Sequence, residues 1–405
     1  MSLSQLARSI SESPTLKLNE TAARLREKGE PVIHLGGGEP KSKAPIDAIL
    51  NCTALLNTAE VRYSPADGIP ALKKAIIRYT EEHYGRLVAP ENVIASSGAK
   101  QSIMVALHAI IDPKDEVIFP VPYWVSYPEM VKIAGGVPIA VTAQDGGFQP
   151  TVQEIADAIG SYTKAIILNS PNNPSGAMYS RDFVAEIVQI CEKRNIWLIM
   201  DDTYNRLVFD GRAPVNCYDF TDQDVESSKL IVVNCVSKMY AMTGFRLGWA
   251  VASRELVRAM TNIQSQETSG PATPSQWAAV GALNGIQSSI ESLRMTLENN
   301  RNVMCARLKA IPGVQVTKPD GTFYCFPDFS AYEKSSQKLA SLLLEKVRVV
   351  VVPGKEFGME GRVRMSYCGT IKEIREGIER IQWAIDPNSP NELFLGGRKL
   401  VRDWV

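Results

Sequence analysis

Between Asn92 and Val251 the chain repeats one unit: a short apolar run, a cluster of small or polar residues, then a stretch of helical periodicity. The runs fall at residues 93–95, 116–119, 165–168, 196–200 and 230–233, with a further strand-like run at 248–251. Helical patterns occupy 101–111 and 183–191. Runs this short and this uniformly apolar suit strands buried on both faces, and strands separated by helices pair in parallel. The expectation is an α/β architecture, a parallel sheet covered on both sides. Open sheets of this kind bind ligands outside the carboxyl ends of their strands. That is where the polar clusters lie.

Those clusters have a common chemistry. Asn234 to Trp249 reads NCVSKMYAMTGFRLGW, so Ser237 and Lys238 sit at a strand's carboxyl end and Arg246 follows eight residues later. A lysine and an arginine at one rim suit a cofactor with both an aldehyde and a phosphate, which is pyridoxal 5′-phosphate. The lysine forms the Schiff base, and the arginine grips the phosphate in a planar fork. Ser97-Gly98-Ala99-Lys100 opens a helix, where free N–H groups favour a phosphate, although the same residues make an ordinary N-cap. Asp201 ends an apolar strand and needs a partner to stay charged; a pyridinium N–H is one, and a helix N-cap is the alternative. Asn173 and Tyr204 can each hydrogen-bond the ring's phenolic oxygen, or be a turn asparagine and a packed tyrosine. Trp124 can stack on the ring or fill core. Arg362 and Arg364 alternate with apolar residues along an expected strand; Arg364 is the candidate for a bidentate carboxylate contact and Arg362 is expected to be solvated. Gly36-Gly37-Gly38 allows close backbone approach to a ligand, or is simply a loop.

Composition removes several other classes. Lysine plus arginine balances aspartate plus glutamate at 44 each, so nothing favours nucleic acid or an anionic membrane. The 3 histidines supply metal sites and Ser-His triads poorly, and no metal is expected. His83 is expected on a helix surface and His108 packed within a helix. The 7 cysteines are scattered without a CxxC pair, as in a reducing compartment. No run reaches the ~18 apolar residues of a membrane span, and no signal-peptide core is present; a cytoplasmic protein is expected.

Taken together, VPYWVSYPEMV (121–131), NSPNNPSG (169–176), DDTY (201–204), SKMYAMTGFRLGW (237–249) and VRMSY (363–367) resemble the class I aminotransferases of pyridoxal-phosphate fold type I, in particular the bacterial-type aspartate and prephenate branch. The resemblance covers about residues 3–384. It implies a mostly parallel seven-stranded sheet covered by helices, plus a smaller α+β domain. Residues 41–290 would form the large cofactor-binding domain and 291–385 the small one, joined by 1–40; 386–405 would be an extra tail. It implies Lys238 as Schiff-base lysine and proton shuttle, with Asp201 on the pyridine nitrogen, Tyr204 and Asn173 on the phenolic oxygen, and Trp124 on the ring face. Ser97, Gly98, Ala99, Lys100, Ser237 and Arg246 would surround the phosphate, with Tyr63 reaching in from the second subunit of a homodimer. Arg364 and the backbone of Gly38 would take the substrate α-carboxylate. Lys100 and Thr15 would read a distal carboxylate.

Four departures from the family pattern bear on substrate choice. Cys235 stands where many relatives place a phosphate-binding serine, and Lys41-Ser42-Lys43 replaces the usual acidic and aromatic residues. Ser11 stands where some relatives carry a substrate-reading lysine, and the tail is additional. The expected reaction is a ping-pong transamination between an L-amino acid, foremost aspartate, and a 2-oxo acid, foremost 2-oxoglutarate. Prephenate, aromatic or alanine-type transamination, a fold-type-I carbon–sulfur lyase, and a non-enzymatic cofactor-sensing regulator are the alternatives. The last would carry a DNA-binding module ahead of this fold.

Overall fold

The computed structural model describes residues 3–11, 14–395 and 397–404, and all their side chains except those of 14–16 and 398. Seven strands form the central sheet: β1 (Val93–Ser96), β2 (Glu116–Pro120), β3 (Val137–Val141), β4 (Thr163–Asn169), β5 (Trp197–Asp201), β6 (Leu230–Cys235) and β7 (Gly248–Val251). Their spatial order is β1-β7-β6-β5-β4-β2-β3. All neighbours pair in parallel except at β7, which runs antiparallel to both β6 and β1. The seven-stranded, mostly parallel sheet agrees with expectation.

Two apolar layers bury the sheet. One joins Leu168, Leu198, Met200 and Trp249 to helices α1 (Ile46–Asn57), α2 (Pro70–Tyr84) and α4 (Arg181–Arg194), which supply Ala48, Ile76 and Ile187. The other joins Ile94, Ile167, Ile199 and Val233 to α3 (Ala99–Ile110) and α5 (Arg254–Glu267). Uniformly buried strands such as β5 and β6 are apolar on successive residues because both faces meet a helix. Helix α6 (Thr273–Asn284) then leads to α7 (Ser288–Lys309), α8 (Ser336–Val347) and α9 (Ile371–Ile385). A third core is built from α7, α8 and α9, β8 (Tyr324–Cys325) and β9 (Val363–Ser366), and also takes in Ile33, Leu35 and Tyr204.

Several local expectations are corrected. The run 347–352 reads as a single strand in the sequence, but Arg348, at φ 57, closes α8 in the left-handed region. Val349–Val350 then pairs with Ile33–His34, and Val352–Pro353 pairs with β9. Arg362 is not solvated, since its guanidinium lies 3.4 Å from Asp328 and 4.9 Å from the centre of the Phe148 ring. His83 is half-buried rather than on the helix surface, edge-on to Tyr79 of its own helix and in contact with Arg206 from the loop that follows β5. No helix begins at Asp201-Asp202, so the N-cap alternative for that pair falls. The tail forms a hairpin of β10 (Glu392–Leu395) and β11 (Arg398–Val401). Among the described residues, no helix is long and apolar enough to cross a membrane.

Candidate active site

A cavity of about 460 Å³ opens at the carboxyl ends of β4, β5 and β6, and its lining includes Lys238, Asp201, Asn173, Trp124, Arg246 and Arg364. These come from segments up to 240 residues apart in sequence, and the fold brings them together. Lys238 lies three residues past β6, and its Nζ donates to the Gly38 carbonyl oxygen at 2.7 Å. Asp201 closes the neighbouring strand β5 and is 5% exposed. Its Oδ2 accepts from Tyr127 O–H at 2.6 Å, and its Oδ1 accepts from the Thr203 N–H at 3.3 Å and from the Thr203 hydroxyl. Burial raises the Asp201 pKa, and these donors and the charge of Lys238 oppose that rise. A buried carboxylate with neutral hydrogen-bond partners is completed by a cationic N–H from the cavity side.

The phosphate corner is set by close backbone packing. Gly98, at φ +89, precedes α3, and a Cβ there would come within 2.4 Å of an Arg246 terminal nitrogen. The positive φ favours glycine there, and the absent Cβ leaves the guanidinium its place. The N–H of Ser97 is used by Gln101 Oε1 and that of Gly98 by the Ser96 carbonyl, whereas those of Ala99 and Lys100 have no partner among the described residues. The unused N–H groups at this helix start are therefore those of Ala99 and Lys100, beside the Arg246 guanidinium, a set suited to an anion. Arg246 is braced by the carbonyls of Thr243 at 3.1 Å and Ser97 at 3.3 Å. Ser237 and Cys235 also line the cavity, both buried.

On the opposite wall Arg364 is 2% exposed. Its terminal nitrogens donate to Asn173 Oδ1 at 2.9 Å and to the Gly36 carbonyl at 3.0 Å, and its guanidinium lies 4.3 Å from the centre of the Tyr324 ring. Its Nε is buried with no partner among the described residues, an unused donor beside the cavity. Tyr204 is buried edge-on to Phe323 and Tyr324, and burial, then Tyr324, push its hydroxyl well up, so it stays a donor. Lys100 Nζ lies 4.9 Å from the centre of the Trp124 ring; though open on one side, partial burial first and then Arg246 and Lys238 push its pKa down.

Of the expected residues, Ser97 and Gly98 precede Ala99 but are not themselves in the lining, and Tyr63 is not brought into this cavity by the chain's own fold. Tyr63 is 94% exposed and points away from the body of the chain. The side chain of Thr15 lies outside the described residues; its helix, Pro14–Glu27, contributes Asn19 to the lining. Lys41 does not face the cavity but pairs with Glu373 at 2.9 Å, and Lys43 is exposed. Ser11 donates its backbone N–H to Glu129 at 3.1 Å. Tyr127, Thr203 and Tyr324 were not singled out from sequence. The first two lie inside the stretches VPYWVSYPEMV and DDTY, but nothing in their spacing says that both reach Asp201.

A family model described as "Aminotransferase class I and II" matches residues 30–381. The chain belongs to the class I and II aminotransferases. It is 37% identical to an aspartate aminotransferase of Bacillus sp. (strain YM-2), over 94% of this chain and 98% of that one. It is 38% identical to an aspartate/prephenate aminotransferase of Cereibacter sphaeroides, again over 94% and 98%. The solved aspartate aminotransferase of Thermus thermophilus with maleate superposes with a TM-score of 0.89 at 34% identity, over 94% of this chain and 99% of that one. The chain is thus a pyridoxal 5′-phosphate-dependent aminotransferase of fold type I. The cavity fits that cofactor: an amine at 238, a buried carboxylate at 201, and free N–H groups beside a guanidinium at 99, 100 and 246.

Proposed function

We propose that this aminotransferase moves the amino group of aspartate to 2-oxoglutarate through the residues gathered in this cavity. The observation that carries the reading is that Lys238, Asp201 and Arg364, from three distant segments, line one cavity. When bound, pyridoxal phosphate supplies an aldehyde that condenses with amines and a protonated ring that spreads the charge left at the substrate Cα. Asp201 holds the proton on the ring nitrogen; each pKa unit gained there is worth about 1.4 kcal/mol to the protonated ring. Tyr204 and Asn173 offer hydrogen bonds to the phenolic oxygen, Trp124 covers the ring face, and Ala99, Lys100 and Arg246 hold the phosphate. Lys238, which would hold the cofactor through its Nζ, would also be the base that takes the substrate Cα proton and gives it back. Arg364, through its unused Nε and its terminal nitrogens, takes the α-carboxylate with the backbone of Gly38. Lys100, with Thr15, meets a distal carboxylate, which favours aspartate and glutamate over apolar side chains.

The domain division at residues 41–290 and 291–385, with 1–40 joining the latter, is part of this proposal. So is the homodimer. It is supported by the apolar strip on α1 and after it, where Ile46 is 65%, Leu50 59% and Tyr63 94% exposed. A cytoplasmic setting is supported by seven free cysteines.

Lys238→Ala should abolish the absorbance of lysine-bound cofactor and lower turnover by ~10⁴-fold or more, since it removes both the attachment point and the base. Normal turnover in that variant defeats the reading. Release of pyruvate and ammonia from a β-substituted amino acid, with no 2-oxo acid acceptor, would identify a lyase instead. For the substrate, Lys100→Ala should lower kcat/KM for aspartate against alanine by ~10-fold or more. An unchanged ratio means that Lys100 is not the selector.

A further inference from the structure

Asp202 follows the ring-facing carboxylate and turns the other way. It is 1% exposed and borders a second polar cavity of about 300 Å³, separate from the first. Its Oδ2 accepts one hydrogen bond, from Tyr84 O–H at 2.9 Å. That hydroxyl already accepts from Asn205 Nδ2 at 2.9 Å and Asn234 Nδ2 at 2.8 Å, so its single proton is directed to Asp202. Among the described residues, the buried Oδ1 of Asp202 has no hydrogen-bond partner and no lysine or arginine is ion-paired with the carboxyl. An ionised carboxylate can accept about four hydrogen bonds; left with one, and buried, the charged form is strongly disfavoured. Asp201, by contrast, accepts from three donors and faces the cofactor cavity.

Two adjoining buried carboxyls in such unequal surroundings divide their roles: one carries the charge and the other keeps its proton. We propose that Asp202 is a positioning residue of the transamination, a neutral acid that leaves Asp201 as the sole negative charge behind the ring nitrogen and exchanges its proton with solvent through the second cavity. The proposal rests on the reading of Asp201 as the ring-nitrogen partner. Burial, opposed by the Tyr84 hydrogen bond and reinforced by the charge of Asp201, pushes the Asp202 carboxyl up to about 7. It therefore ionises within the working range and then adds a second negative charge beside Asp201.

The groups packed around it leave that titration to Asp202. Tyr79 and Tyr84 on α2, and Cys217 and Tyr218 on the turn Cys217–Phe220, are all pushed up by burial and stay neutral. At the cavity rim, His83 is pushed down to about 4 by burial and then by Arg206, which it contacts, so it also stays neutral. Arg212 is tied to Asp320, and Arg294 to Glu291 and Glu298, leaving Glu82 the other rim carboxylate, 3.5 Å from Arg78.

The test compares wild-type and Asp202→Asn holoenzymes, since the amide copies the shape of the neutral acid. A carboxyl whose pKa is raised by folding contributes stability that is whole below the unfolded value of about 4 and is lost as pH rises through about 7. The wild-type thermal midpoint should therefore fall relative to that of Asp202→Asn between about pH 4 and about pH 7 and level off above. The wild-type step in kcat and cofactor absorbance near pH 7 should be missing from the variant. A pH-independent difference in midpoint, or the same step in both proteins, overturns the proposal. If the variant does not fold, the wild type decides: its infrared spectrum must lose a protonated-carboxyl band between about pH 6 and about pH 8, and a constant spectrum overturns the proposal. Asp201→Ala decides the underlying reading separately. If that variant transaminates normally, the ring-nitrogen role fails, while the stability comparison still reports whether Asp202 holds a proton.

Discussion

Tyr127 shows how much of this site depends on a single hydroxyl. It is buried, and burial first and then Asp201 push its pKa well up, so the O–H stays a donor to the carboxylate 2.6 Å away. A hydrogen bond to a charged acceptor is worth roughly 1.5–3 kcal/mol. Tyr127→Phe keeps the ring that packs edge-on against Trp124 and removes only that bond. The carboxylate is then less favoured in its charged form, and its hold on the ring nitrogen weakens. Cofactor affinity should drop by ~10-fold or more, read as the dissociation constant of pyridoxal phosphate from the refilled apoenzyme. An unchanged constant would assign Tyr127 to packing alone. Arg362 and Arg364 make the complementary point: they stand two residues apart, and sequence leaves Arg362 to solvent, yet Asp328 and Phe148 capture it while Arg364 is walled into the cavity.

At the level of elements, the tail behaves as a cap. Helix α9 ends at Ile385, and its last carbonyls need donors. Arg402 supplies them, donating to the carbonyls of Trp383 at 3.1 Å and Asp386, and also to Pro387 at 2.9 Å and Ser389 at 2.7 Å. Trp404 donates to the Ala384 carbonyl at 3.1 Å and packs edge-on against Trp383. A cation at a helix C-terminus also complements the helix dipole. Arg402→Ala should therefore destabilise the protein by about 1–3 kcal/mol in urea unfolding, with kcat little changed because no cavity residue is touched. No change in unfolding midpoint would mean that the tail rests on the helix without supporting it. The segment spells no motif, because its contacts with the helix are made by one arginine and one tryptophan whose side-chain hydrogen-bond partners lie at least 13 residues away in sequence.

At the level of the whole molecule, the one-chain cavity lacks the contact expected from Tyr63, which stands exposed beside an apolar strip. If each cavity is completed by the other subunit, Lys238→Ala and Tyr63→Phe lie in different chains of any one site. Mixing the two impaired variants, unfolding them and refolding them together should restore roughly a quarter of wild-type activity. Half the dimers would then be mixed, with one intact site of two. No recovery in the mixture would place Tyr63 outside the site.

Strand-and-helix alternation, the placing of Lys238, Asp201 and Asn173 at strand ends, and Gly98 before a helix were all legible in the chain, because periodicity and backbone preference act over a few residues. The reversed direction of β7 was not, since a short apolar strand reads alike in either direction. The split of 347–352 between two pairings was also hidden, being decided by which neighbours offer free edges. Side-chain partners over long separations were hidden most fully. Tyr127 reaches Asp201 across 74 residues and Arg364 reaches Asn173 across 191. Local sequence thus determines which elements form and which chemical groups stand at their ends. Packing decides which of those groups meet, which keep their charge and which keep their protons, because each depends on neighbours that exist only once the chain has closed on itself.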